Sequence, residues 1–188
     1  MFNNSQYFTQ GQIEAQNKYE THERAKQLID HPIYSSDTKK LWPGFAEFIT
    51  ERPFFFLASA DANGNCQCNY RGGEPGFVVV EDDKNLSFPD YDGNGILHTV
   101  GNFIENPNVG LLFIDFETSR RIKVNGRVTL LDAKNQLSKF KHKPGYANAA
   151  RVVHVEVTYA VMNCASYLDR ARTKYFSPIS QDEEVFQV

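Results

Sequence analysis

A chain of 188 residues is long enough for one substantial domain, and 41% hydrophobic with 23% charged residues is the make-up of a globular protein rather than a disordered one. With 20 Lys and Arg against 23 Asp and Glu the formal charge is −3, which provides no basic footprint for non-specific nucleic-acid binding. The opening "MFNNSQYFTQGQIEAQ" has neither the basic nor the apolar region of a secretory leader, and no later stretch is apolar for the length of a bilayer, so the expectation is a cytoplasmic protein without membrane contact.

In chain order, residues 11–30 carry Ile13, Ala25, Leu28 and Ile29 among charges, which predicts an amphipathic surface helix broken by "HPIYSSD". A second helix is expected over 43–51, with Pro43 in its first turn, Phe45, Phe48 and Ile49 on one face, and Pro53 beyond its end. The pattern then changes to strands. "FFFLASA" (54–60) is a buried run, and the Asn-Gly of "DANGN" predicts a tight hairpin into "CQCNYR". "GFVVVED" (76–82), "LSF" (86–88), "VGLLFIDF" (109–116), "RIKVNGRVTLLD" (121–132) and "RVVHVEVTYAVM" (151–162) follow, with one helix expected over 96–106.

The last two strands alternate: Ile122, Val124, Gly126, Val128 and Leu130 share one face, and so do Val153, Val155, Val157, Tyr159 and Val161. Half-buried alternation favours an antiparallel sheet, and six or seven such strands with few helices close most simply as a small barrel. The expected organisation is an N-terminal helical segment packing on the barrel (1–52), the barrel itself (53–163), and a C-terminal segment (164–188) that is mobile or borrowed by a partner subunit. Cys66, Cys68 and Cys164 form no disulfide framework, lack zinc-type spacing, and read as reduced thiols packed like small hydrophobes, so no metal site is expected.

Three stretches carry candidate chemistry. In "NYRGGEPGF" the glycines at 72, 73 and 76 permit positive φ and let a ligand approach bare backbone beside the Arg71 fork, a suitable seat for a phosphate; an ordinary loop could also use them. In "FPDYDGNGILHTVGN" the chain turns at Asp92-Gly93-Asn94-Gly95 into a helix whose N–H groups can receive an anion, with Asn94, Thr99 and Asn102 as side-chain donors. The competing use of Asn94 or Asp92 is as a plain helix cap. In "SRRIKVNGRVTL", Arg121, Lys123, Asn125, Arg127 and Thr129 share the polar face, either as solvated surface or with Lys123 or Arg127 reaching a ligand held mostly by a second subunit.

Together these stretches, running from "FLASADANGNCQCNYRGGEPGFVVVEDDKNLSFPDYDGNG" through "VGNFIENPNVGLLFIDF" to "RIKVNGRVTLLD", resemble the pyridoxamine 5′-phosphate oxidase-like family of FMN-binding split β-barrels over about residues 45–132, and more loosely to "NCASYLDR". The resemblance implies a mainly β, antiparallel split barrel of six to seven strands with a few peripheral helices, working as a homodimer with FMN at the subunit interface. It implies that Arg71, Gly72 and Gly73 meet the phosphate and ring edge, that Asn94, Gly95, Thr99 and Asn102 complete the polar site, that Val78 and Val79 offer main-chain groups to the ring, and that Lys123 or Arg127 supplies positive charge near it. The phosphate-binding strand and C-terminal substrate segment of the true pyridoxamine phosphate oxidases are missing, so oxidation of a vitamin B6 phosphate is not expected.

No paired carboxylates or nucleophile–base motif stands out, and a flavoprotein needs neither. The leading expectation is therefore an FMN-dependent oxidoreductase passing electrons between a reduced nucleotide or small organic molecule and an acceptor. Rival expectations are a non-catalytic FMN-binding or redox-sensing protein, and a split barrel holding a deazaflavin or haem, the last with His98 or His154 as axial ligand.

Overall fold

The computed structural model describes residues 8–29, 38–132, 134 and 139–162; Cys164 and the expected C-terminal segment 164–188 lie outside them. The chain divides into two units, Met1–Thr38 and Lys39–Val188. In the first, α1 (Gln10–Lys18) and α2 (His22–Ile29) stand where one helix was expected. The break is at Glu20, whose φ of 54° is left-handed, and Thr21 closes it by donating its N–H to Gln16 O at 2.9 Å. Thr9 starts α1 with a reciprocal capping box to Gln12.

In the second unit α3 (Pro43–Glu51) takes proline in its first turn and buries Phe48 and Ile49. Seven strands follow: β1 (Phe54–Ala60), β2 (Cys66–Gly72), β3 (Val79–Val80), β4 (Asn85–Asp90), β5 (Asn108–Asp115), β6 (Arg120–Asp132) and β7 (Arg151–Met162), with α4 (His98–Glu105) between β4 and β5. All pair antiparallel in the spatial order β2-β1-β5-β6-β7-β4-β3. This is the mainly β split barrel, seven-stranded and left open, with β2 at one edge and β3 at the other.

Period-two alternation sends Phe55, Leu57, Leu111, Phe113, Ile122, Val124, Val153 and Val155 into a single core. Phe55 sits at its centre, with ring centroids 5.0 Å from Phe88 and from Phe113 and 5.8 Å from Phe77. Because Phe55 is on β1 and Phe88 on β4, these contacts join strands near opposite ends of the sheet, each aromatic pair adding about 0.5–1.5 kcal/mol beyond area burial.

Two expectations need correction. The strand expected over 76–82 shrinks to Val79–Val80, because Gly76 turns at φ 91° with its N–H on Thr50 O, Phe77 N donates to Glu74 O, and the Asp82 carboxylate collects Lys84 N and the Asn85 amide. The inward face expected of β7 also changes parity. Its register against β6 jumps between Asn125 and Gly126, leaving Thr158 as the extra residue of a bulge. Beyond it Ala160 joins the main core, while Tyr159 is only half-buried.

Candidate functional site

The gap between the edge strand β2 and the end of β4 beyond Ser87, which β3 does not pair, forms a seam, and a cleft of about 230 Å³ lies in it. One wall is the inward face of β2. Gln67, Asn69 and Arg71 alternate there opposite Ser59, Leu57 and Phe55 of β1. The other wall runs from Asp90 through the Asp92–Gly95 turn into the first turn of α4. Gly93 (φ 54°) and Gly95 (φ 77°) are both left-handed, and Gly95 N closes the turn on Asp92 O at 2.8 Å.

The two walls are tied by side chains. The Asn69 amide donates to Thr99 Oγ1 at 3.3 Å, and the Gln67 amide lies 3.2 Å from His98 Nδ1. Asn94 does not cap α4: its Oδ1 accepts from Ile96 N at 3.1 Å within the turn. The N-cap is Leu97, in a left-handed conformation at φ 56° and with no side-chain cap bond. This helix start, without a side-chain cap, lines the same cleft as Arg71, Asn94 and Thr99. Leucine in the left-handed region costs about 1–2 kcal/mol, strain of the kind that collects at ligand sites.

Arg71 is partly buried and ion-paired, its side chain 23% exposed. Its Nη1 pairs with Asp90 Oδ1 at 3.1 Å across the seam, and its buried Nε has no partner among the described residues. Asp90 is only 2% exposed, and its second oxygen accepts from Arg151 Nε at 3.0 Å; Arg151 Nη2 in turn holds Asp92 Oδ1 at 2.7 Å. Burial works against the Arg151 charge, but the hydrogen bonds and charges of Asp92 and Asp90 outweigh it and hold its pKa above the usual arginine range. Burial, with the Asp90 charge, likewise raises the phenol of Tyr91 on the cleft rim.

The other expected residues are spread more widely. Gly72 and Gly73 are not left-handed; a Cβ on Gly72 would fall 2.5 Å from the Tyr70 hydroxyl, and one on Gly73 2.7 Å from the Phe77 ring, so both are set by neighbouring side chains. Val78 is fully buried in the core and Val79 pairs with Ser87 in β3–β4, so neither lines the cleft. Asn102 is buried and donates to Ser59 Oγ at 2.9 Å inside the barrel. Lys123 and Arg127 occupy the opposite, outer face of the sheet, where Lys123 Nζ lies 5.3 Å from the Tyr159 ring centre. His154 is also outside the cleft, with Nδ1 3.1 Å from Glu81 and 3.2 Å from Ser87 Oγ.

That outer face carries Phe54 and Phe56 half-buried and Tyr70 64% exposed. The thiols expected to be packed, Cys66 and Cys68, are exposed there, because they pair across β1 with the small Ala60 and Ala58. Sequence reasoning missed Gln67, Asn69, Asp90 and Arg151. The alternating polar residues of "CQCNYR" did signal a second functional face on β2; no local signal marked Arg151.

Fold and site together define an open antiparallel barrel with a polar cleft in its seam. The chain belongs to the pyridoxamine 5′-phosphate oxidase family, whose match covers residues 41–164. Among solved structures it is similar to a candidate pyridoxamine 5′-phosphate oxidase from Lactobacillus delbrueckii (18% identity, TM-score 0.53, 66% of this chain and 96% of that one). It is also similar to HupZ from Group A Streptococcus, in one structure at 16% identity and TM-score 0.51 over 64% of this chain and 91% of that one. At these identities the likeness establishes the fold. No curated protein sequence matches the chain. Among the described residues no helix is long and apolar enough to cross a membrane.

Proposed function

We propose that this protein binds FMN with the phosphate in the seam cleft and acts as a homodimeric oxidoreductase. One observation carries the reading: in a member of this family, the start of α4, which has no side-chain cap, and the guanidinium-bearing Arg71 line one cleft. The donor set fits a phosphate. Arg71, Thr99 and the main-chain N–H groups of α4 all donate, and the cleft's carboxylates, Asp90 and Asp92, are already bound to guanidinium groups. Arg71 would bind the phosphate, Asn94 would hold the turn that presents α4, and Asn69 would fix the Thr99 hydroxyl. Ile96 and Leu97, 60% and 37% exposed on the rim, would shield the rest of the ligand from water. Bound there, FMN supplies hydride transfer between a reduced nucleotide or small organic donor and an acceptor.

The outer face supports the homodimer. Phe54, Phe56 and Tyr70 form an aromatic patch suited to burial against a second copy, and Lys123 and Arg127 lie on that same face, where they would approach a flavin only across the subunit boundary. His98 on the cleft wall favours one alternative, a haem with that imidazole as ligand. An absorption spectrum of the purified protein, followed by chromatography of whatever is released on denaturation, separates them: two yellow bands and free FMN support the flavin reading, and a Soret band lost in His98→Ala supports haem. Arg71→Ala is expected to weaken FMN binding by about 1.5–3 kcal/mol, the worth of a charged hydrogen bond, with the fold retained. An unchanged dissociation constant removes Arg71 from the site. Steady-state turnover with a reduced pyridine nucleotide and an artificial acceptor tests the enzymatic reading; reduction without a saturable substrate indicates a binding or sensing protein.

A further inference from the structure

We infer that Arg151, which does not line the cleft, sets its preference for a phosphate by cancelling the carboxylates that would otherwise silence Arg71. The inference rests on the reading of the cleft as a phosphate site. Four charges run in a row through the seam: Arg71 on β2, Asp90 at the end of β4, Arg151 at the start of β7, and Asp92 in the turn. All but Asp92 project from the inward face at one end of the barrel. Asp90 pairs with Arg151 in the β4–β7 register, and Arg71 stands opposite the inward Phe55 on β1.

Taken without Arg151, the cleft holds one guanidinium and two carboxylates, one of them buried beside that guanidinium. Such a site is net negative and repels a phosphate. Arg151 changes the balance from behind: Nε and Nη2 are spent on Asp90 and Asp92, so its own contact with a ligand is not needed. Its charge frees Arg71 to act as a cation toward the cleft while Asp90 still fixes the direction of Arg71. Arg151 is thus a positioning and charge-balancing residue. Lysine there retains the charge but lacks the fork that spans Asp90 and Asp92.

The test uses the full chain freed of bound ligand and compares dissociation constants for FMN and for riboflavin, which lacks the phosphate. Arg151→Gln is expected to weaken FMN on the order of fivefold, from one unit charge acting at a few ångströms in a partly solvated site, with riboflavin unchanged. Asp92→Asn, at a side chain 66% exposed and therefore harmless to folding, is expected to tighten FMN severalfold. The double variant Arg151→Gln/Asp92→Asn is expected to return near the wild-type preference, and Arg151→Lys to keep most of it.

Equal weakening of FMN and riboflavin by Arg151→Gln would mean a structural role and would overturn the inference. So would a double variant no better than Arg151→Gln alone. If Arg151→Gln does not fold, Asp92→Asn decides alone, and no gain in FMN affinity overturns the inference. A wild-type protein that does not prefer FMN to riboflavin refutes the phosphate cleft and this inference with it. A wild type that prefers FMN, alongside an Arg151→Gln variant that prefers it equally, refutes only the role of Arg151.

Discussion

Gly126 is the residue on which the register of the two longest strands depends, and Gly126→Ala tests that dependence. It stands at the register jump between β6 and β7, where a Cβ would lie 2.6 Å from the carbonyl oxygen of Glu156 and closer still to a methyl of Val155. Neither obstacle yields cheaply. Glu156 O belongs to the β7 backbone, and Val155 is fully buried and β-branched, with little rotamer freedom. Overpacking of this kind costs about 1–3 kcal/mol, against about 0.4–1 kcal/mol returned because alanine restricts the unfolded chain more than glycine. The net expectation is a loss of about 1–2 kcal/mol. In a protein of this size that lowers Tm by about 2–8 °C. Urea unfolding followed by far-UV circular dichroism reads the change as a lower midpoint at unchanged slope. A shift below about 0.5 kcal/mol, the range of ordinary surface substitutions, would refute the claim that the bulge leaves no room for a side chain.

Asn102→Ala is expected to destabilise the fold by about 1–3 kcal/mol, because it strands the buried Ser59 hydroxyl, while the preference for FMN over riboflavin stays as in wild type. A loss of that preference at unchanged stability would return Asn102 to the ligand site. Asp115 pairs with Arg52 at 2.9 Å; burial would raise its carboxyl, but hydrogen bonds from Thr118 and Glu117 and the Arg52 charge outweigh this and hold it below its ordinary value of 3.8. Its folded pKa is depressed, so its stabilisation is present above the unfolded value and lost as pH falls through the folded one. Asp115→Asn is therefore expected to be less stable than wild type at pH 7, and the gap to close at acid pH. A gap in urea midpoint that persists unchanged below the folded value would contradict this.

The parts legible in the sequence are those decided by near neighbours. "FFFLASA" and "RVVHVEVTYAVM" become β1 and β7 with the expected bounds, since a buried apolar run and a period-two alternation each act within one strand. "GFVVVED" misled because its valines are claimed by the core while Gly76 and Asp82 bend the chain on either side, and hydrophobicity alone does not distinguish a strand from a buried turn. Tyr159 misled for a different reason: the bulge at Thr158 follows from the fit of Gly126 against a strand some 30 residues away, and nothing in "VEVTYAVM" announces it.

The site divides along the same line. Arg71, Asn94 and Thr99 were singled out from local features, an arginine beside glycines and a helix start, and the structure brings those three to one cleft. Lys123 and Arg127 were placed on the correct, polar face of β6, yet that face turns away from the cleft, because which side of a sheet becomes the interior is settled only when the strands curl. Asp90 and Arg151 were illegible for the strongest reason. They are 61 residues apart, and Arg71, which ties them to the cleft by its ion pair with Asp90, belongs to the far edge of the sheet. Where the sheet leaves its edges unbonded, side chains complete the barrel: Phe55 on Phe88 in the core, Arg71 on Asp90 at the rim. A cleft bounded by two strand edges, joined through an ion pair rather than a ladder of backbone hydrogen bonds, has donors that an incoming anion can share. The opening in the sheet and the anion binding proposed for it would therefore have one origin, and substitutions at the seam should change binding more readily than substitutions at the strongly paired β6–β7 centre.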